Sequence, residues 1–382
     1  MSDKTSTLKK PIKNGKKFFL LYSAAFLVCA ALCYFWFIIN KKTLIINSDG
    51  WRQHFAAFVY FGKYGREILE TLFETHKFVL PQWDFSIGLG SDILTTLHFY
   101  AIGDPLDLLS IACPAKYAAY LYSLLSLFRL YLAGLSFGAF CFIKKQNHVS
   151  SITVGSLVYV FTLFGMFIVS HHPFFALPMI FLPLLLLGVE QITAGKRPYL
   201  FVITVFLAAI SNFYFFYMIV ALAVIYVIFR FFMIYKERRL KNFAACFVKF
   251  LGYGVVGVMM SAIILLPILI VYTGDARSAI STLVYPLYEW DYYAKFFNYF
   301  IGGIQEVGGP YTFLGYVPVV LLSILLMFKK KKKHTALKIG FILLTLMLFI
   351  PFFGSFFNGF SYVTNRWVWA YSFLCTFILA IM

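Results

Sequence analysis

KKFFLLYSAAFLVCAALCYFWFIIN, Lys16 to Asn40, sets two lysines ahead of an apolar run, Phe18–Ile39, that carries no charge. A helix rises 1.5 Å per residue and the hydrocarbon core of a bilayer is about 30 Å thick, so about 20 such residues cross it. The run is longer than the 7–15 residues of a secretory-signal core, and no small-x-small cleavage site follows it. It therefore reads as an uncleaved first span. Lys9, Lys10, Lys13, Lys16 and Lys17 lie in a basic tail, residues 1–17, expected on the cytoplasmic side.

The same pattern recurs along the 382 residues. The chain is 62% hydrophobic, 21% aromatic and 13% charged, with a mean hydropathy of +0.83. A soluble domain carries about a quarter charged residues, so the expected fold is an all-α polytopic membrane protein over residues 18–382. After Phe18–Ile39, further spans are expected at Tyr117–Ile143, Ser151–Ser170, Phe174–Ile192, Tyr199–Ser211, Phe213–Tyr235, Phe250–Tyr272, Phe313–Phe328, Ala336–Phe353 and Arg366–Met382, ten in all. Ser211-Asn212 divides Tyr199–Tyr235, which is too long for one span, into two short helices. Long outer loops fall at about 40–116 and 273–312. The last span ends on an apolar methionine with no basic flank, which predicts that the sequence continues beyond it in the complete protein.

A net charge of +18 could suggest nucleic acid, but its distribution does not. Basic residues cluster in short segments between apolar runs, as at Lys329–Lys333 and Lys236–Arg238–Arg239–Lys241, where they suit anionic headgroups on the cytoplasmic side. Twelve of the 15 acids fall instead in the two outer loops. Acids contribute little to topology, so their segregation needs another cause. Cys29, Cys33, Cys141, Cys246 and Cys375 lie in or at the ends of apolar runs, and only Cys113 is in a loop. That is neither a disulfide framework nor a Cys/His metal pattern.

The first outer loop is the most informative segment. Asn47-Ser48-Asp49-Gly50 follows the first span, with residue types that favour turns and caps. From Trp51, the apolar residues Phe55, Phe58, Leu69 and Leu72 recur at helical spacing among Arg52, Gln53, Lys63, Arg66, Glu67, Glu70 and Glu74. This predicts an amphipathic interfacial helix stopped by Pro81. WDFSIGLGSD follows, Trp83 to Asp92, and then Tyr100 and Gly103-Asp104-Pro105. A carboxylate just outside the bilayer can take a proton from a hydroxyl nucleophile. Each acid also has a structural use: Asp49 as a cap, Asp104 as a turn initiator, Asp84 as a solvated residue or a pin for the glycines.

The motifs SDGxxQ (Ser48–Gln53), WDFSxGLGSD (Trp83–Asp92) and GDPxxLLS (Gly103–Ser110) resemble those of the bacterial YfhO family. SNFYFxY (Ser211–Tyr217), GGPYTFLG (Gly308–Gly315) and NGFSYxxNRW (Asn358–Trp367) resemble it in the same order. The resemblance implies a GT-C-type membrane glycosyltransferase in the bacterial cytoplasmic membrane. It would take a sugar from a polyprenyl-phosphate carrier at the outer face and pass it to a teichoic or lipoteichoic acid acceptor, without a metal or other cofactor. A donor-synthesising transferase and a flippase are its expected partners.

Asp49 would then act as the base and Asp104 as a second carboxylate. Arg366, or less strongly Arg52, would hold the leaving phosphate, because a guanidinium binds phosphate oxygens bidentately. Gln53, His54, Asp84, Asp92, Tyr100 and Asn212 complete the expected substrate-binding set. Arg366 could equally snorkel, and His54, His171 and His172 could be incidental. Arg129, mid-span, calls for an ion-pair partner or a polar cavity. Such intramembrane charges also fit a transporter or flippase, and a non-catalytic assembly factor is the remaining alternative.

Overall fold

The structure is a computed structural model that describes residues 12–144, 148–234, 240–274, 285–302, 310, 312–330 and 333–382. Most of the basic tail, residues 1–11, lies outside them, as do 235–239 of the second basic cluster, Lys331 and Lys332 of the third, and Gly308, Gly309 and Tyr311 of the GGPYTFLG segment. The described chain is mostly helical, with one short pair of two-residue strands.

The first helix, α1 (Ile12–Ile39), presents Leu20, Leu27, Leu32, Trp36 and Ile38 outward and buries Phe18, Tyr22 and Phe26. An apolar face left outward on so long a helix belongs against lipid, the only solvent that does not penalise it. Its inner face meets the later helix α5 (Ala118–Lys144) at Gly134 and Gly138, where a Cβ would strike Tyr22 and Phe18. The intervening loop holds α2 (Ala56–Thr75), α3 (Ile93–Leu97) and α4 (Leu109–Ala112).

The bundle continues with α6 (Val149–Val160), α7 (Val169–His171), α8 (Leu177–Thr193), α9 (Tyr199–Ser211), α10 (Phe213–Ile234), α11 (Leu240–Met260) and α12 (Ala262–Gly274). After the second loop, which contains α13 (Trp290–Phe300), come α14 (Pro318–Lys329), α15 (Thr335–Phe349), α16 (Pro351–Phe357) and α17 (Val368–Ile381). The core lies around α8 and α17, which pack together with α5 and α6 and bury Trp367, Trp369 and Tyr371.

Among the described residues, five helices are long and apolar enough to cross a membrane, or seven if each of two bent pairs is one span; four shorter apolar helices accompany them. One bent pair joins Val149–Val160 to Phe164–His171 through 55°, and the other turns 91° between α15 and α16, where Pro351 cannot donate to a continuing helix. Tyr199–Tyr235 does divide at Asn212, whose backbone is extended. Two expected boundaries are corrected. Phe250–Tyr272 is not one helix: α11 begins at Leu240, and the chain breaks at Ser261 before α12. The amphipathic helix ends at His76 in a left-handed conformation, before Pro81 is reached.

Candidate functional site

The first loop is bolted to the bundle from several directions. On α2, Gly62 and Gly65 let α4 approach so closely that a Cβ would strike Ser110 and Ile111. Arg66 Nη1 then donates to the carbonyls of Ser110, Ile111 and Cys113 at 3.0, 3.1 and 3.0 Å, satisfying the end of α4. The glycine segment is a small hairpin pairing Trp83 with Asp92 and Asp84 with Ser91, with Gly88 and Gly90 at φ +62° and +110°. Asp84 closes it by accepting from Tyr60 and from the Ser86 amide. Asp92 caps α3, accepting from the Thr95 amide and hydroxyl, each at 2.7 Å. Asn212 likewise caps α10, accepting from the Phe215 amide at 3.1 Å.

Asp104 is also engaged. Arg129 Nε donates to Asp104 Oδ2 at 2.9 Å and Nη2 to Asp107 Oδ1 at 2.6 Å, while Asp104 Oδ1 accepts the Leu106 amide. Arg129, Asp104 and Asp107 are 2%, 4% and 5% exposed, so this is a buried triad that fastens the loop to α5. Burial pushes the Asp107 carboxyl upward; Arg129 opposes that shift and neighbouring Asp104 adds to it. The ion-pair partner that Arg129 required is thus the pair of loop acids.

Asp49 is exposed instead, at the mouth of a π-helical turn, Gly50–Phe55. Gln53 Nε2 donates to Asp49 Oδ1 at 3.1 Å, and the Tyr100 hydroxyl donates to Gln53 Oε1 at 3.2 Å. His54 turns inward and its Nε2 lies 2.6 Å from His172 Nδ1, one ring donating and the other accepting. His171 Nε2 similarly shares a hydrogen bond of 2.9 Å with Ser48 Oγ. Burial depresses His54 to about 4, with Asp49 opposing and His171 reinforcing the shift, and it depresses His172 to about 3, with His54, His171 and Arg366 reinforcing it. Both imidazoles are neutral at pH 7.

Arg366, at the start of α17, completes the neighbourhood. Its guanidinium lies over the rings of Phe175, Tyr214 and Tyr362 at 5.8, 5.9 and 5.7 Å. The preceding Asn365 is fully buried, accepts from Tyr288, donates its side-chain amide to Thr312 and donates its backbone N–H to the Pro310 carbonyl, which fixes the entry to α17. Asp49, Gln53, His54, Tyr100 and Arg366 therefore gather at one end of the bundle around His171 and His172. Arg52 is exposed nearby in sequence. Asp84, Asp92, Asp104 and Asn212 instead hold loop and helix ends. His171 and His172 gave only one sequence signal, a pair placed just before Pro173 at the start of a span.

The sequence matches the family described as "Bacterial membrane protein YfhO" over residues 23–382. It is 26% identical over 249 residues to "Uncharacterized protein YfhO" of Bacillus subtilis (strain 168), a match covering 65% of this chain and 27% of that relative. No solved structure matches.

Proposed function

The chain belongs to the YfhO family of bacterial membrane proteins, and from that premise we propose that it is a GT-C-type glycosyltransferase. It moves a sugar from a polyprenyl-phosphate donor to an envelope polymer of the teichoic or lipoteichoic acid type, at the extracytoplasmic face. The N-terminus is then cytoplasmic. Ten spans result if α9, α14 and α17 cross, each bent pair counts once, and α11 with α12 counts once.

The observation that carries the reading is the gathering of an exposed carboxylate and a guanidinium about one neutral histidine cluster. Asp49 has its Oδ1 oriented by Gln53, and Arg366 sits beside His172. In an inverting displacement Asp49 accepts the proton of the acceptor hydroxyl as that oxygen attacks the anomeric carbon. The polyprenyl phosphate leaves from the opposite face, and Arg366 takes up its charge through two parallel N–H donors.

The test is Asp49→Asn in the complete protein, expressed in a strain lacking the native gene, with the sugar content of extracted envelope polymer measured by NMR. Loss of the sugar at normal expression is expected. Normal glycosylation removes Asp49 as the base, and lipid or solute flux by the reconstituted protein without transfer product replaces the proposal with transport.

A further inference from the structure

The far end of α8 carries a second built feature. Glu190 lies 18 residues after His172, about 27 Å along the helix at 1.5 Å per residue. It receives Arg230 Nε and Nη2, the latter at 2.8 Å on Oε2, and the Tyr226 hydroxyl at 2.6 Å on Oε1. One edge of the guanidinium is thus locked. The remaining nitrogen, Nη1, donates only weakly, to Met233 Sδ at 3.8 Å, and Arg230 and Met233 both line a cavity of about 450 Å³.

The cavity runs between α8, α10, α15 and α17. Its walls are apolar, among them Leu186, Leu222, Leu344 and Phe373, and among the described residues its polar lining is Tyr226, Arg230 and His334, of which Arg230 and His334 can carry positive charge. His334 opens α15, directly after Lys329, Lys330 and Lys333, all exposed. A slot of this size matches a small-molecule pocket, and an apolar slot with cations at one end selects an amphiphile with an anionic head. A neighbouring cavity of about 310 Å³ between α9, α10 and α11 has no such end; its lining is entirely apolar.

We propose that the cavity at Arg230 and His334 binds one anionic phospholipid, with an acyl chain between α10 and α15 and the phosphate on Arg230 Nη1. Glu190 is a positioning residue: it holds the guanidinium edge-on so that Nη1 faces the headgroup. Basic pockets between membrane helices take anionic headgroups in this way. The site is separate from the Asp49 cluster and does not depend on the glycosyltransferase reading.

The experiment equilibrates the full chain with vesicles of equal parts phosphatidylcholine and phosphatidylglycerol, removes loose lipid with detergent, and counts retained lipid by native mass spectrometry. The unmodified protein should keep phosphatidylglycerol over phosphatidylcholine by about tenfold, the ratio one charge-assisted hydrogen bond sustains. Gly340→Phe fills the cavity and should abolish retention, whereas Gly254→Phe in the apolar cavity should leave the preference intact. Met233→Trp narrows the mouth from an exposed position, and its loss of retention keeps the test decisive if Gly340→Phe does not fold. Joint replacement Glu190→Gln with Arg230→Gln should erase the preference without leaving an unpaired charge. Equal retention of the two lipids by the unmodified protein, or a preference that survives both Met233→Trp and the joint replacement, overturns the proposal.

Discussion

Asp49 and Asp104 stand in one loop, have the same side chain, and meet opposite fates. Asp104 is buried, with one oxygen on Arg129 and the other on a backbone amide. Asp49 is exposed and holds a single side-chain hydrogen bond from Gln53. A carboxylate whose lone pairs are already committed to a cation inside the protein stabilises a fold; one at the rim with an oxygen to spare can accept a proton. The loop therefore has two unlike ends, a fastener at its far end and an exposed carboxylate at its start.

The sharpest way to break that contrast is to remove each carboxylate's function separately. Asp49→Asn should lower glycosyl transfer by about 10²- to 10⁴-fold, the range of a general base, while changing stability by no more than about 0.5 kcal/mol. Transfer rate and detergent-phase thermal unfolding measure the two. Arg129→Ala should do the reverse, costing about 3–5 kcal/mol because it strands two buried carboxylates. Replacing Arg129, Asp104 and Asp107 together by apolar residues of similar size should cost far less, which thermal unfolding of the triple variant would check.

The two ends should also titrate with opposite sign. His54 and His172 are depressed to about 4 and about 3 from an ordinary 6.5, so the folded state binds fewer protons than the unfolded one. Their contribution is complete above pH 6.5 and is lost as pH falls through 4. Burial raises Asp107 above its ordinary 3.8, so its contribution is present at low pH and is lost as pH rises from 3.8 through the raised value. Unfolding midpoints between pH 4 and 7.5 should decline less steeply on the acid side in His172→Gln, and Asp107→Asn should remove the opposing slope. The smallest effect is expected at Asp92→Ala, which loses the α3 cap for about 1 kcal/mol and leaves transfer intact. Loss of transfer there at full stability would extend the proposed site to the hairpin.

Long uncharged runs made most of the bundle legible, because the bilayer tolerates so few charges that their absence marks a span. Breaks within those runs were less so. Ser261 interrupts α11 and α12 without any charge or glycine at the break, and His76 ends α2 through its own left-handed backbone rather than through proline. Arg129 declared in sequence that it needed a partner, yet its acids lie 22 and 25 residues away across a loop. The His54–His172 and Ser48–His171 contacts span 118 and 123 residues. No local periodicity carries such pairs; they follow from how α7 returns to the start of the first loop.

The π-helical turn at Gly50–Phe55 can be considered as a matter of phase. An α-helix advances about 100° per residue, so a widened turn ahead of α2 sets the angle between everything before it and everything after it. Trp51, Arg52 and Gln53 are exposed while His54 is buried, and α2 buries Phe58 and Phe61 on the face that follows. Relaxing this turn to α-helical pitch with all its residues kept would rotate Asp49 about the helix axis by about a quarter turn relative to Phe58. The carboxylate would remain in the chain, unaltered in charge and exposure, and point away from the histidines. The direction of Asp49 is thus encoded in the pitch of this segment as well as in its composition.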